Sequence, residues 1–112
     1  MKIAISSIDK DLSGSVSEVF GRCSYFVIAE IKDQKIEQKE TVENKSMDQA
    51  SGAGILAAKL MAERNIDAII TNNIGPRALD ILKQFNIKVY FGKGKTEEAL
   101  QNFIEKKLEK IN

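Results

Sequence analysis

The chain has 112 residues, 43% of them hydrophobic, and its 17 basic and 16 acidic side chains leave a formal charge of +1. That size predicts one domain over residues 1–112, and the balanced charge supplies no field to draw in nucleic acid or an anionic membrane. A lone cysteine, Cys23, forbids an internal disulfide and points to a reducing cytosol, while the absence of histidine removes the commonest transition-metal ligand and general base.

Residues 2–6 read as a short apolar strand, too short for a secretory leader, and no apolar run approaches a membrane span. Residues 7–23 are a long polar connection ending in Phe20-Gly21-Arg22-Cys23. Residues 24–31 form a strand apolar on both faces, Asp33-Gln34 a turn, and 35–42 a polar edge strand whose lysines and glutamates discourage edge-to-edge pairing. A polar connection covers 43–50. Ala53, Leu56, Ala57, Leu60 and Met61 then share one face of a helix from about Ser51 to Glu63, closed by Asn65. Ser46 with Gln49 offers an earlier capping box for its start. Asp67–Thr71 is the fourth strand. Gly75-Pro76 opens a second helix, with proline where a missing N–H is harmless. Its buried face is Ala78, Ile81, Leu82 and Phe85, and Asn86 ends it. Ile87–Phe91 is the last strand. Thr96 caps a third helix with Glu97 and Glu98 in its first turn. Leu100, Phe103, Ile104, Leu108 and Ile111 are its inner stripe, and Lys106, Lys107 and Lys110 its solvated end.

The order β-β-β-α-β-α-β-α predicts an α/β, ribonuclease-H-like three-layer fold. Its five-stranded mixed sheet is ordered 3-2-1-4-5, with the second strand antiparallel and three helices as layers. In that topology the C-terminal ends of strands one, four and five meet all three helix starts at one edge. The edge gathers Ser7, Arg22, Cys23, Gly52, Gly54, Asn72, Asn73, Gly75 and Lys93, with Ser6, Gly94 and Lys95 beside them. Open N–H groups, glycines and cations make an anion-binding rim, although each residue taken singly is also an ordinary turn or cap residue. Three helix starts supply at most about 3 kcal/mol toward an exposed anion. A millimolar dissociation constant represents roughly 4 kcal/mol, so tight binding calls for ligation or a shaped pocket. Cys23 is the one soft ligand at the edge and the candidate metal ligand, as a thiolate beside Arg22. The plainer reading, and the favoured one, is a small apolar residue opening a strand. One cysteine without histidine does not close a zinc site.

Enzymatic readings find little footing. Gly52-Ala53-Gly54-Ile55-Leu56-Ala57 matches G-x-G-x-x-A but follows a polar loop and not a strand. Gly94-Lys95-Thr96 resembles the end of a P-loop, yet Val89 stands where that motif requires glycine. The first strand carries no carboxylate for a two-metal nuclease, and Ser6 and Ser7 have no histidine to activate them.

Phe20-Gly21-Arg22 before an apolar strand, Gly52-Ala53-Gly54-Ile55 opening a helix, Asp67-Ala68-Ile69-Ile70, Ile74-Gly75-Pro76-Arg77-Ala78 and Ile87-Lys88-Val89-Tyr90 follow in a telling order. In that order and spacing they resemble the dinitrogenase iron–molybdenum cofactor biosynthesis family, from Met1 to about Leu100. The resemblance implies the fold given above. It also implies a small non-catalytic carrier or accessory protein that binds an anionic metal cluster, an iron–sulfur or iron–molybdenum precursor, alongside a cofactor-assembly protein. Where several members carry histidine before the first helix, this chain reads Ser46-Met47-Asp48-Gln49-Ala50-Ser51. Two other functions fit the residues. One is a module for a small phosphorylated or carboxylated anion, using Lys93 and Lys95. The other is a protein–protein adaptor that docks through the rim or strand 35–42.

Overall fold

Ile3, Ala4 and Ile5, and Ala68, Ile69 and Ile70, are buried on both sides of their strands, the pattern of a parallel sheet covered on two faces. The computed structural model describes residues 1–49 and 51–111. Its elements are β1 (Lys2–Ser7), β2 (Tyr25–Lys32), β3 (Lys35–Glu43), α1 (Ala53–Glu63), β4 (Ala68–Thr71), α2 (Pro76–Gln84), β5 (Lys88–Phe91) and α3 (Thr96–Ile104). A 3-10 turn at Phe20–Arg22 interrupts the long connection after β1. Ala50, the last residue of the connection expected over 43–50, and Asn112, the last of the expected domain, lie outside the described residues.

The sheet order is β3-β2-β1-β4-β5, as the sequence predicts. β2 runs antiparallel to β1 and β3, and β1, β4 and β5 are parallel. Alternation along the strands divides the core in two. Ala4, Ile28 and Ile69 pack with Ala57 and Met61 of α1 and Leu82 of α2. Ile5, Val27 and Ile70 pack with Ala99 and Leu100 of α3. α1 and α2 therefore cover one face and α3 the other.

Several local expectations are corrected. α1 buries Ala53, Ala57, Ala58 and Met61, so its inner face is turned toward Ala58 and leaves Leu56 44% exposed. Phe85 closes α2 from outside the core and is 57% exposed. Ser46 and Gln49 form a turn, with the Gln49 N–H on the Ser46 carbonyl, and start no helix. Lys95, not Thr96, is the cap residue of α3, which ends at Ile104. Lys106 then takes a positive φ of 61°, so Leu108 and Ile111 lie beyond the helix. Ile111 instead donates its N–H to Val89 and packs on the α1–α2 side of the sheet. Asn65 and Asn86 stop their helices as expected, each with positive φ.

Candidate functional site

The connection after β1 decides which helix starts stay open. Gly14 and Leu12 turn their carbonyl oxygens onto the N–H groups of Thr96 and Glu97, at 2.9 and 3.1 Å. Val16 donates to Gly94, and Ser15 bridges Lys95. The first turn of α3 is thus capped by backbone. Lys93 is exposed just before α3, whose buried side chains pack on the face of the sheet away from α1 and α2.

α1 and α2 are left open. Each is preceded by a glycine, Gly52 and Gly75, and neither has a side-chain cap. A serine or aspartate there would occupy the orphan N–H groups itself. Gly52 has φ of 79°, a conformation that disfavours replacement by a capping side chain. The two starts face a cleft of about 340 Å³, bounded by Val19–Arg22, Gly52–Ile55 and Gly75–Ala78. That volume falls at the lower end of the range of small-ligand sites, about 300–1,000 Å³.

Three tight contacts fix its walls. A Cβ on Gly21 would stand 2.5 Å from the Gly54 nitrogen and 2.6 Å from its Cα, so the 3-10 turn lies directly on the start of α1. A Cβ on Gly54 would meet that of Ala78 at 3.3 Å, which draws α1 against α2. Asn73 anchors the third side: its carbonyl accepts from the Phe20 N–H at 2.8 Å, and its N–H donates to Glu18 at 3.0 Å.

Two arginines line the cleft, Arg22 and Arg77, both exposed and neither in an ion pair among the described residues. Nη1 of Arg22 donates to the carbonyls of Met47 and Gln49. Arg77 sits in the first turn of α2, which holds no acidic residue. A cation at a helix start opposes the macrodipole. That anomaly is legible in the sequence and marks Arg77 as a candidate the rim reading passed over. The lining has no carboxylate, hydroxyl or thiol, and among the described residues no group of three or more His, Cys, Asp or Glu side chains gathers anywhere.

Of the expected rim, Arg22, Gly52, Gly54 and Gly75 come together here. The others do not. Ser7 is fully buried at the end of β1, where its hydroxyl donates to the Asp9 carbonyl at 2.9 Å and accepts from the Asp9 N–H. Asn72 and Asn73 lie outside the lining, Asn73 holding the connection by its backbone. Cys23 needs the largest correction. It is 1% exposed, packed among Phe20, Phe26 and Ala57, and donates its thiol to the Phe20 carbonyl at 3.2 Å. Burial pushes this thiol from 9.0 up to about 12, against the opposing hydrogen bond from Asn44. A neutral thiol enclosed in the core is no ready metal ligand.

Among the described residues no helix is long and apolar enough to cross a membrane. An uncharacterised protein of Methanocaldococcus jannaschii is 40% identical over 112 residues, 99% of this chain and 92% of its own. The apo form of the orange protein from Desulfovibrio gigas superposes with a TM-score of 0.90 at 29% identity, over 97% of this chain and 91% of that one. A Thermotoga protein named as a candidate NifB protein gives 0.83 at 34% identity, over 98% and 92%. Residues 1–106 match the family described as dinitrogenase iron-molybdenum cofactor. With that match spanning nearly the whole chain, the protein belongs to the dinitrogenase iron–molybdenum cofactor family.

Proposed function

We propose that the chain is a non-catalytic, cytosolic binding protein that carries an anionic metal cluster, or a precursor of one, in the cleft between the starts of α1 and α2. The observation that carries this reading is the meeting of two glycine-preceded, uncapped helix starts with two arginines that lack ion-pair partners among the described residues. An anion there would receive about 0.3–1 kcal/mol from each helix start and about 1.5–3 kcal/mol from a hydrogen bond to each guanidinium. Together these reach about 4–8 kcal/mol, the span from millimolar to micromolar dissociation constants. The apolar part of the wall, Val19, Phe20, Ile55 and Pro76, suits a large, weakly hydrated anion better than a small, strongly hydrated one. Holding would be by charge and hydrogen bonds, without a bond to Cys23. A lining without acid–base or nucleophilic groups supports carriage over catalysis. The family supports a cofactor-assembly protein as the recipient.

Anaerobic incubation with iron, sulfide and molybdate tests the reading. Charge-transfer absorption should co-elute with the wild-type chain and with Cys23→Ala, and should be lost in Arg22→Gln/Arg77→Gln. Absorption that vanished with Cys23 and ignored both arginines would refute it. A small phosphorylated or carboxylated metabolite is the second reading, favoured by the same donors. Thermal stabilisation by inorganic phosphate, lost in Arg22→Gln, with no uptake of metal and sulfide, would select it.

A further inference from the structure

Arg22 is held from behind. Nη1 donates to the Met47 carbonyl at 2.8 Å and to that of Gln49. Both acceptors lie in the turn 44–49, and no residue of that turn lines the cleft. A guanidinium has five N–H donors in a planar fork. With Nη1 engaged by the turn, Nε and Nη2 remain for an anion. The turn therefore fixes one tine of the fork and leaves its other N–H groups without partners among the described residues.

The turn hangs on Asn44. This side chain is 1% exposed, and both ends of its amide are used. Nδ2 donates to the carbonyls of Gly21 at 3.1 Å and Cys23 at 2.9 Å. Oδ1 accepts from the Ser46 N–H at 3.3 Å and hydroxyl at 2.8 Å. The Asn44 N–H donates to Ser24 at 3.0 Å. One buried amide thus joins the two segments that set the guanidinium: the 3-10 turn carrying the Arg22 backbone, and the turn supplying its acceptors. Fully satisfied buried polar networks are rigid.

We infer that Asn44 is a positioning residue for anion capture, acting through Arg22, and that occupancy of the cleft is coupled to the order of the turn 44–49. The inference rests on the cleft reading above. Linkage makes it reciprocal: a turn that steadies Arg22 for the anion is steadied equally by the anion.

The experiment measures the molybdate dissociation constant and the rate of tryptic cleavage after Lys45, which is exposed in the turn. It compares the wild-type chain, Asn44→Ala, Arg22→Gln, and a chain with two glycines inserted between Met47 and Asp48. The insertion parts the two carbonyls while leaving cleft and core untouched. Without molybdate, Lys45 should be cut about tenfold faster in Arg22→Gln and in the insertion chain. Saturating molybdate should slow the cut in wild type only. The insertion chain should bind molybdate about tenfold more weakly at an unchanged Tm. Asn44→Ala should match it in affinity; if that variant does not fold, the insertion chain decides. Wild-type affinity in the insertion chain, or a wild-type cleavage rate in Arg22→Gln, overturns the inference alone. No binding of molybdate, or of the iron–sulfide product, to the wild-type chain overturns the cleft reading and this inference with it.

Discussion

Cys23 and Gly21 are close in sequence and act in opposite ways on the site. Cys23 faces the core, and its thiol is held neutral by burial well above the usual range. Below pH 9 the thiol is protonated in both folded and unfolded chains and adds no pH dependence. Between 9.0 and about 12 only the unfolded chain loses the proton, so stability falls across that window. The urea midpoint of the wild-type chain should drop more steeply between pH 9 and 11 than that of Cys23→Ala. Labelling by a thiol reagent at neutral pH should be slow and should accelerate with urea. Fast labelling in native buffer would show the thiol to be accessible after all. Gly21 faces the start of α1, where an added Cβ meets backbone atoms that cannot yield. Gly21→Ala should destabilise by about 1–3 kcal/mol, as overpacking does. It should also weaken molybdate binding, because the 3-10 turn must lift off Gly54. A fully stable Gly21→Ala with wild-type affinity would mean that the contact is slack. Sequence reading singled out Gly21 as part of a motif but not its partner, since close backbone approach depends on tertiary contact.

Among elements, the two kinds of helix start carry the main lesson. Proline at the head of α2, the asparagine stops and the edge character of β3 were legible, because each follows from local backbone chemistry. The fate of the α3 start was not. Its donors are capped by Gly14 and Leu12, more than eighty positions away in sequence, and no local pattern announces that. The same blindness placed Lys93 in the rim and Ser7 with it. The turned face of α1 has a similar source. Leu56 and Ala58 both fit a helical stripe, and the packing of α2 through Ala78 against Gly54, one turn before Ala58, selects Ala58. Among the described residues, the capped start of α3 also leaves the Thr96 hydroxyl buried with no partner. An unsatisfied buried hydroxyl costs about 1–3 kcal/mol. Thr96→Val, nearly the same shape, should therefore raise stability by up to about 1 kcal/mol in urea denaturation. A loss of that size instead would show that the hydroxyl is bonded, for example to an ordered water.

For the whole molecule, the strand order was legible because charge, turn and crossover rules leave few topologies. The face of the sheet that each helix takes splits the anticipated ring of three helix starts into a pair and a single. The sheet between them has a further thermodynamic consequence. Side chains above and below it touch different partners, so the two half-cores are insulated from each other. Gly21→Ala on one side and Thr96→Val on the other should change the unfolding free energy independently, their effects adding to within about 0.3–0.5 kcal/mol. The half under α3 would then be free to drift toward greater or lesser robustness while the half beside the cleft keeps its shape, and a lineage could retune one without renegotiating the other.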